Sequence, residues 1–203
     1  MTSIQKEFVA QLIESGASQR DIAYATANIP KEFWDISRDS IEITPNNKAA
    51  VDYVISYVDD LHNSIANGSG LTLLGEPKSG KTLLGCAILK SAAINPFTLL
   101  RDYSVLRVNY DVILEDLEHL RNDEAYAELK NALIKASILF VDSISLSYPN
   151  TSILSILRTR RDFRRPTILA YTVSSMTNLP KERAYDLLSI FSDVNKQYYL
   201  RKR

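Results

Sequence analysis

Cysteine is almost missing from this chain of 203 residues: Cys86 stands alone. A single thiol cannot close an internal disulfide, which excludes a disulfide-stapled scaffold and suits a reducing compartment. Cys86 falls on a helix-patterned segment and reads as a small core residue, not a nucleophile. Net charge is missing too. Lys plus Arg and Asp plus Glu number 24 each, so no global field draws the chain to DNA or to a membrane. Any nucleic-acid contact must come from a local patch. No apolar run approaches the length of a membrane span, and Met1–Lys6 lacks the apolar core of a signal peptide. The expected location is the cytoplasm. Internal repeats and low-complexity segments are absent as well. What remains is an ordinary globular composition, 45% hydrophobic and 24% charged, long enough for one good core with room for a small appendage.

Residues 3–14 place Ile4, Phe8, Val9, Leu12 and Ile13 on one broad helical side. A looser stretch with Gly16 and Ile29-Pro30 leads to Phe33-Trp34. This predicts an N-terminal segment over 1–40 ahead of a main domain over 41–203. Its apolar face either folds back on the core or docks another protein. A second helix follows Thr44-Pro45-Asn46-Asn47, with Val51, Val54, Ile55, Val58, Leu61 and Ile65 at helical spacing until Asn67-Gly68-Ser69-Gly70 stops it.

Strands are expected at Leu71–Leu74, Val105–Asn109, Ser137–Val141 and Pro166–Val173. Between them helical patterns run over Leu83–Lys90, Tyr110–Leu120 and Asn150–Phe163. A last helix is expected from Pro180, with Ala184, Leu187, Leu188, Phe191 and Val194 as its stripe. Strands alternating with helices predict an α/β fold, a parallel sheet sandwiched by helices. Seven carboxylates between Asp111 and Glu128 read as a solvated face.

The organising stretch is Gly75-Glu76-Pro77-Lys78-Ser79-Gly80-Lys81-Thr82, which fits G-x-x-x-x-G-K-[ST] with a strand running in and a helix running out at Leu83. Gly75 and Gly80 permit tight turns, so successive N–H groups can cradle phosphate oxygens over the helix's positive end. Lys81 is expected on the β/γ-phosphates, with the Thr82 hydroxyl on Mg²⁺. The pattern predicts a P-loop site for a nucleoside triphosphate.

Ligands in such folds bind outside the carboxyl ends of the strands. One of those ends carries Ile138-Leu139-Phe140-Val141-Asp142, a Walker-B pattern whose Asp142 is expected to hold Mg²⁺, often through water. Another carries Thr172, within reach of a γ-phosphate or an attacking water. Ser143 follows Asp142 where many ATPases carry an acid, and a hydroxyl is no base near neutral pH. Binding is expected to survive this change; fast hydrolysis is not.

Five arginines crowd into eight residues: Arg158, Arg160, Arg161, Arg164 and Arg165. Arg158, Arg161 and Arg165 share a helical face by i, i+3, i+7 spacing. Their planar forks suit a single-stranded DNA backbone, a neighbouring subunit's nucleotide, or salt bridges to the acidic 111–128 segment. Tyr198-Tyr199-Leu200-Arg201-Lys202-Arg203 mixes aromatics and cations as single-strand binders do, although a solvated tail is the simpler expectation.

With these residues in view, the chain resembles the helicase-loader family of AAA+ ATPases (DnaC/DnaI type) and the related IstB transposition helper. The resemblance runs from about Ile29 to Leu188. It is carried by Ile29-Pro30-Lys31-Glu32-Phe33-Trp34, by Gly75–Thr82 with Leu83-Leu84, and by Val108–Leu117. Ile138–Asp142 and Arg164-Arg165-Pro166-Thr167-Ile168-Leu169 complete it. It implies an AAA+ core without a lid domain, ATP with Mg²⁺, single-stranded DNA, self-assembly into a ring or helix, and an N-terminal segment that grips a hexameric replicative helicase. Thr172 then falls at the sensor-1 position. Two departures stand out. Ser143 replaces an acid, and Leu187 stands where many members carry an arginine finger, with Arg183 out of register. These point to slow turnover or to ATP as a structural ligand. A transposase helper, a non-hydrolysing adaptor and a small P-loop kinase are the competing readings, the last disfavoured because the P-loop begins as late as Gly75.

Overall fold

The computed structural model describes residues 3–95, 104–121, 123–145, 151–173 and 188–201, with side chains from residue 6 onward. Helices α1 (Ser3–Glu14) and α2 (Gln19–Thr26) open the chain, and short 3₁₀ turns follow at Lys31–Phe33 and Arg38–Ser40. Ser18 caps α2 by accepting the Asp21 N–H at 3.1 Å. Then come α3 (Lys48–Asp59), α4 (Leu61–Ala66), β1 (Gly70–Gly75) and α5 (Lys81–Ala93). After β2 (Val105–Asn109), α6 (Tyr110–His119) starts at once, with the Asn109 side chain accepting from Asp111 and Val112 N–H. The order continues α7 (Glu124–Lys135), β3 (Ile138–Ser145), α8 (Thr151–Asp162), β4 (Thr167–Thr172) and β5 (Asn195–Leu200).

The strands form one sheet in the order β2-β3-β4-β1-β5, parallel throughout. Strand alternation divides the core between its two faces. Leu71, Leu73, Ile138, Phe140, Ile168 and Ala170 pack on one side against residues of α2, α3 and α5. Leu139, Val141, Leu169 and Tyr171 pack on the other against residues of α6, α7 and α8. Helix α5 lies tight on the sheet: a Cβ at Gly85 would stand 2.4 Å from the Phe140 ring.

Several expectations need amending. The four strands read from the sequence are present, but a fifth, β5, pairs with β1. Tyr198, Tyr199 and Leu200 are therefore sheet residues and not a solvated tail. Leu188–Ile190 are helical, yet Phe191–Val194 form a turn into β5, and Val194 is exposed. The rest of the expected last helix, Pro180 to Leu187 with Ala184 and Arg183, lies outside the described residues.

The N-terminal stretch folds back on the main core. Tyr24, Ala25, Ala27, Ile29 and Trp34 are buried in the same cluster as Leu71 and Phe140. Lys90 of α5 donates to the carbonyls of Phe33 (2.8 Å) and Ile36 (2.6 Å). On α1, by contrast, Phe8 and Ile13 are exposed, while Val9 and Leu12 pack against the core. No helix among the described residues is long and apolar enough to cross a membrane.

Candidate functional site

Strand β1 delivers the chain into the loop 76–80. Gly75 ends β1 in register between Thr172 of β4 and Leu200 of β5. A Cβ there would lie 2.0 Å from the Leu200 carbonyl oxygen, and φ is +154°, so only glycine fits. Left-handed backbone recurs at Lys78 (φ 63°) and at Gly80 (φ 95°), which precedes α5. Lys81 returns over the loop these turns create. Its Nζ donates to the carbonyls of Gly75 (2.9 Å) and Glu76 (2.6 Å) and to Ser79 Oγ (3.3 Å). Lys81 is buried, and that burial pulls its pKa below the ordinary lysine value, opposed by the charges of Asp142 and Glu76.

At the start of α5, the N–H groups of Lys81, Thr82 and Leu83 precede the first carbonyl they could reach within the helix. The Leu84 N–H is the first to reach back, to Gly80 O at 3.0 Å. Orphan donors and the positive helix end therefore converge on the loop, which is the chemistry of an anion site.

Strand β3 is separated from β1 by β4, yet its acid meets the loop. Thr82 Oγ1 donates to Asp142 Oδ1 at 3.0 Å, and the Ser143 N–H donates to the same oxygen at 2.9 Å. Asp142 Oδ2 accepts from Arg107 of β2, Nε at 3.2 Å and Nη2 at 2.7 Å. A hydroxyl and a carboxylate side by side are hard oxygen donors of the kind that suits Mg²⁺. No cluster of three or more His, Cys, Asp or Glu able to hold a metal occurs among the described residues. Thr172 ends β4, exposed, in register with Gly75 and with Ser145. Ser143 stands where the β3–β4 register shifts between Val141 and Ile144, and its φ is 60°. Burial pushes the Cys86 thiol up to about 12, in keeping with an inert core residue.

A cleft of about 400 Å³ opens beside the loop, lined by Ile41, Thr44, Asn47, Lys78, Gly80 and Arg201. Arg201 comes to it because β5 runs alongside β1. Sequence reasoning passed over Arg107 and read Arg201 only as part of an aromatic and cationic run, not as a residue of this cleft. The signal for the first was a lone charge inside a strand, between Leu106 and Val108, where a partner is required.

The arginine cluster divides. Arg160 is wholly buried: Nε donates to Thr167 Oγ1 (3.0 Å), Nη1 to the carbonyls of Leu133, Ile134 and Ala136 (2.8, 3.0 and 2.7 Å), and Nη2 to Pro166 O (2.6 Å). It closes the C-terminal end of α7. Burial, with Arg165 nearby, pushes its pKa down to about 9, so it keeps its charge at neutral pH. Arg165 lies beyond the end of α8 at Asp162, so it does not continue the helical face expected with Arg158 and Arg161; it donates to the Lys135 carbonyl. Arg161 pairs with Asp193 (2.7 Å), not with the acidic 111–128 segment. Arg158 and Arg164 are exposed. Among the described contacts, none joins these arginines to the loop 76–80.

No family model and no curated protein matches the chain. Solved structures do. The DnaC helicase loader superposes with a TM-score of 0.69 at 19% identity, over 84% of this chain and 99% of that one. DnaI gives 0.66 at 19% identity, over 84% and 94%. The replication initiator DnaA, bound to AMPPCP and single-stranded DNA, gives 0.65 at 15% identity, over 86% of this chain and 51% of its own. The chain thus has the α/β fold of an AAA+-like P-loop NTPase core.

Proposed function

We propose that this chain is an ATP-binding AAA+ replication factor of the cytoplasm that helps load a hexameric replicative helicase onto single-stranded DNA. The observation that carries the reading is the Thr82–Asp142 hydrogen bond at 3.0 Å, joining loop and strand-end acid across β4. The likeness of fold to the solved DnaC loader chain, over 99% of that chain, supports it.

In this reading the backbone N–H groups of Gly75–Leu83, all but Pro77, which has none, hold the β- and γ-phosphates, and Lys81 trades the Gly75 and Glu76 carbonyls for phosphate oxygens. Thr82 and Asp142 hold Mg²⁺, which when bound neutralises phosphate charge. Thr172 faces the γ-phosphate, and Arg201 adds a cation at the cleft. Arg158, Arg161 and Arg165 meet the DNA backbone. The segment over 1–40, with Phe8 and Ile13 outward on α1, meets the helicase, and copies of the chain assemble into a ring or helix. Ser143 favours a second reading, a non-hydrolysing nucleotide-binding adaptor of a replication complex.

Size-exclusion chromatography with the replicative helicase of the same cell tests this. ATP is expected to promote a complex that places the helicase on single-stranded DNA coated by its binding protein. Charge reversal of Arg158, Arg161 and Arg165 to Glu should lower the salt slope of DNA binding by about 0.7 per lost phosphate contact. Failure to form a complex with or without ATP overturns helicase loading. A complex that forms and loads no helicase supports the adaptor.

A further inference from the structure

In the free protein Asp142 takes four hydrogen bonds from the chain itself. A carboxylate offers about four lone-pair positions. Here Oδ1 takes the Thr82 hydroxyl and the Ser143 N–H, and Oδ2 takes both prongs of the Arg107 fork. The pair is little screened, since the Arg107 and Asp142 side chains are 14% and 2% exposed. The strand position bearing the guanidinium is pinned as well. The Arg107 N–H donates to the Ala27 carbonyl at 2.9 Å, and its own carbonyl accepts Asn28 Nδ2 at 3.0 Å.

Burying a charged pair is a poor way to gain stability, because an apolar pair at the same place usually does as well. Its electrostatic effect on the site is large by comparison. Lys81 and Arg107 against Asp142 leave one net positive charge beside the loop; without Arg107 the sum is zero. We infer that Arg107 is a positioning residue and built-in counter-cation of the nucleotide site, doing at Asp142 part of what a divalent ion does, so that triphosphate binding depends little on Mg²⁺. This rests on the nucleotide reading given above.

The test titrates a fluorescent ATP analogue into wild type, Arg107→Gln and Arg107→Lys, in EDTA and in Mg²⁺. The quantity read is the ratio of the two dissociation constants. Wild type is expected to bind in both buffers with a ratio under about fivefold, and Arg107→Gln to raise the ratio at least about tenfold by losing metal-free binding. Removing one unit charge from a little-screened site supplies at least about this factor. Arg107→Lys, which keeps the charge without the fork, should fall between them and serves alone if the Gln variant does not fold. Equal ratios in the variants and wild type overturn the inference. So does a wild-type ratio of about a hundredfold or more. Wild type binding in neither buffer overturns the nucleotide reading itself.

Discussion

Lys81→Met tests whether the loop lysine exists for a ligand or for the fold. In the free protein Lys81 makes three hydrogen bonds, to two carbonyls and one hydroxyl of its own loop. Losing them is offset by no longer burying an ammonium, whose pKa is already pulled down by that burial. Methionine fills nearly the same volume, so the free variant should stay within about 1 kcal/mol of wild type. The bound state differs. A lysine on the β/γ-phosphates is a charge-assisted contact of about 1.5–3 kcal/mol, or about 10- to 150-fold in affinity. At a thousandfold excess of ATP over its dissociation constant, ligand stabilises wild type by about 4.1 kcal/mol. For a chain of this size each kcal/mol moves the melting temperature by about 2–4 °C. The ATP-induced thermal shift of the variant should therefore be smaller by about 3–12 °C. Calorimetric melts with and without ATP measure both quantities. Equal ATP-induced shifts would refute the ligand role, and a free variant weakened by about 3 kcal/mol or more would make the lysine structural.

Arg160→Met should destabilise the fold by about 3–5 kcal/mol, because the carbonyls of Leu133, Ile134, Ala136 and Pro166 lose their donor in the interior. Urea unfolding reads this, and a change under about 1 kcal/mol would overturn the structural assignment. Ser143→Glu places a carboxylate next to Asp142 and should raise steady-state phosphate release by about tenfold or more over a slow wild type, since general-base assistance can reach about 10²–10⁴. Brisk release by unmodified protein without partner or DNA would mean that another group already does this work.

The elements legible in the sequence were those with one dominant force. Strands β1, β3 and β4 are buried on both faces, so their apolar runs declare themselves, and the P-loop spacing follows from the turns that phosphates require. Strand β5 escaped because it lies at the sheet edge: Lys196 and Gln197 are exposed and leave no apolar run. Helix α7 was missed for a similar reason, with Leu133 its one buried residue. The register shift near Ser143 leaves no compositional trace. Arginines in a short stretch look alike in sequence, and only packing sends Arg160 inward while Arg158 stays in solvent.

The sheet order also bears on how the chain acquires its loop during synthesis. β1 is flanked by β4 and β5, and Asn195 bonds to Thr72 across 123 positions of sequence. Contacts of such separation form late, since a long loop must close before they stabilise anything. Translation must therefore pass β4, Thr167–Thr172, before the strand that carries the P-loop has either neighbour. Until then Leu71, Leu73 and Leu74 lie on unpaired strand edges, where a nascent chain is prone to aggregate. A nucleotide or a chaperone acting on this protein would meet its site only after translation through β5.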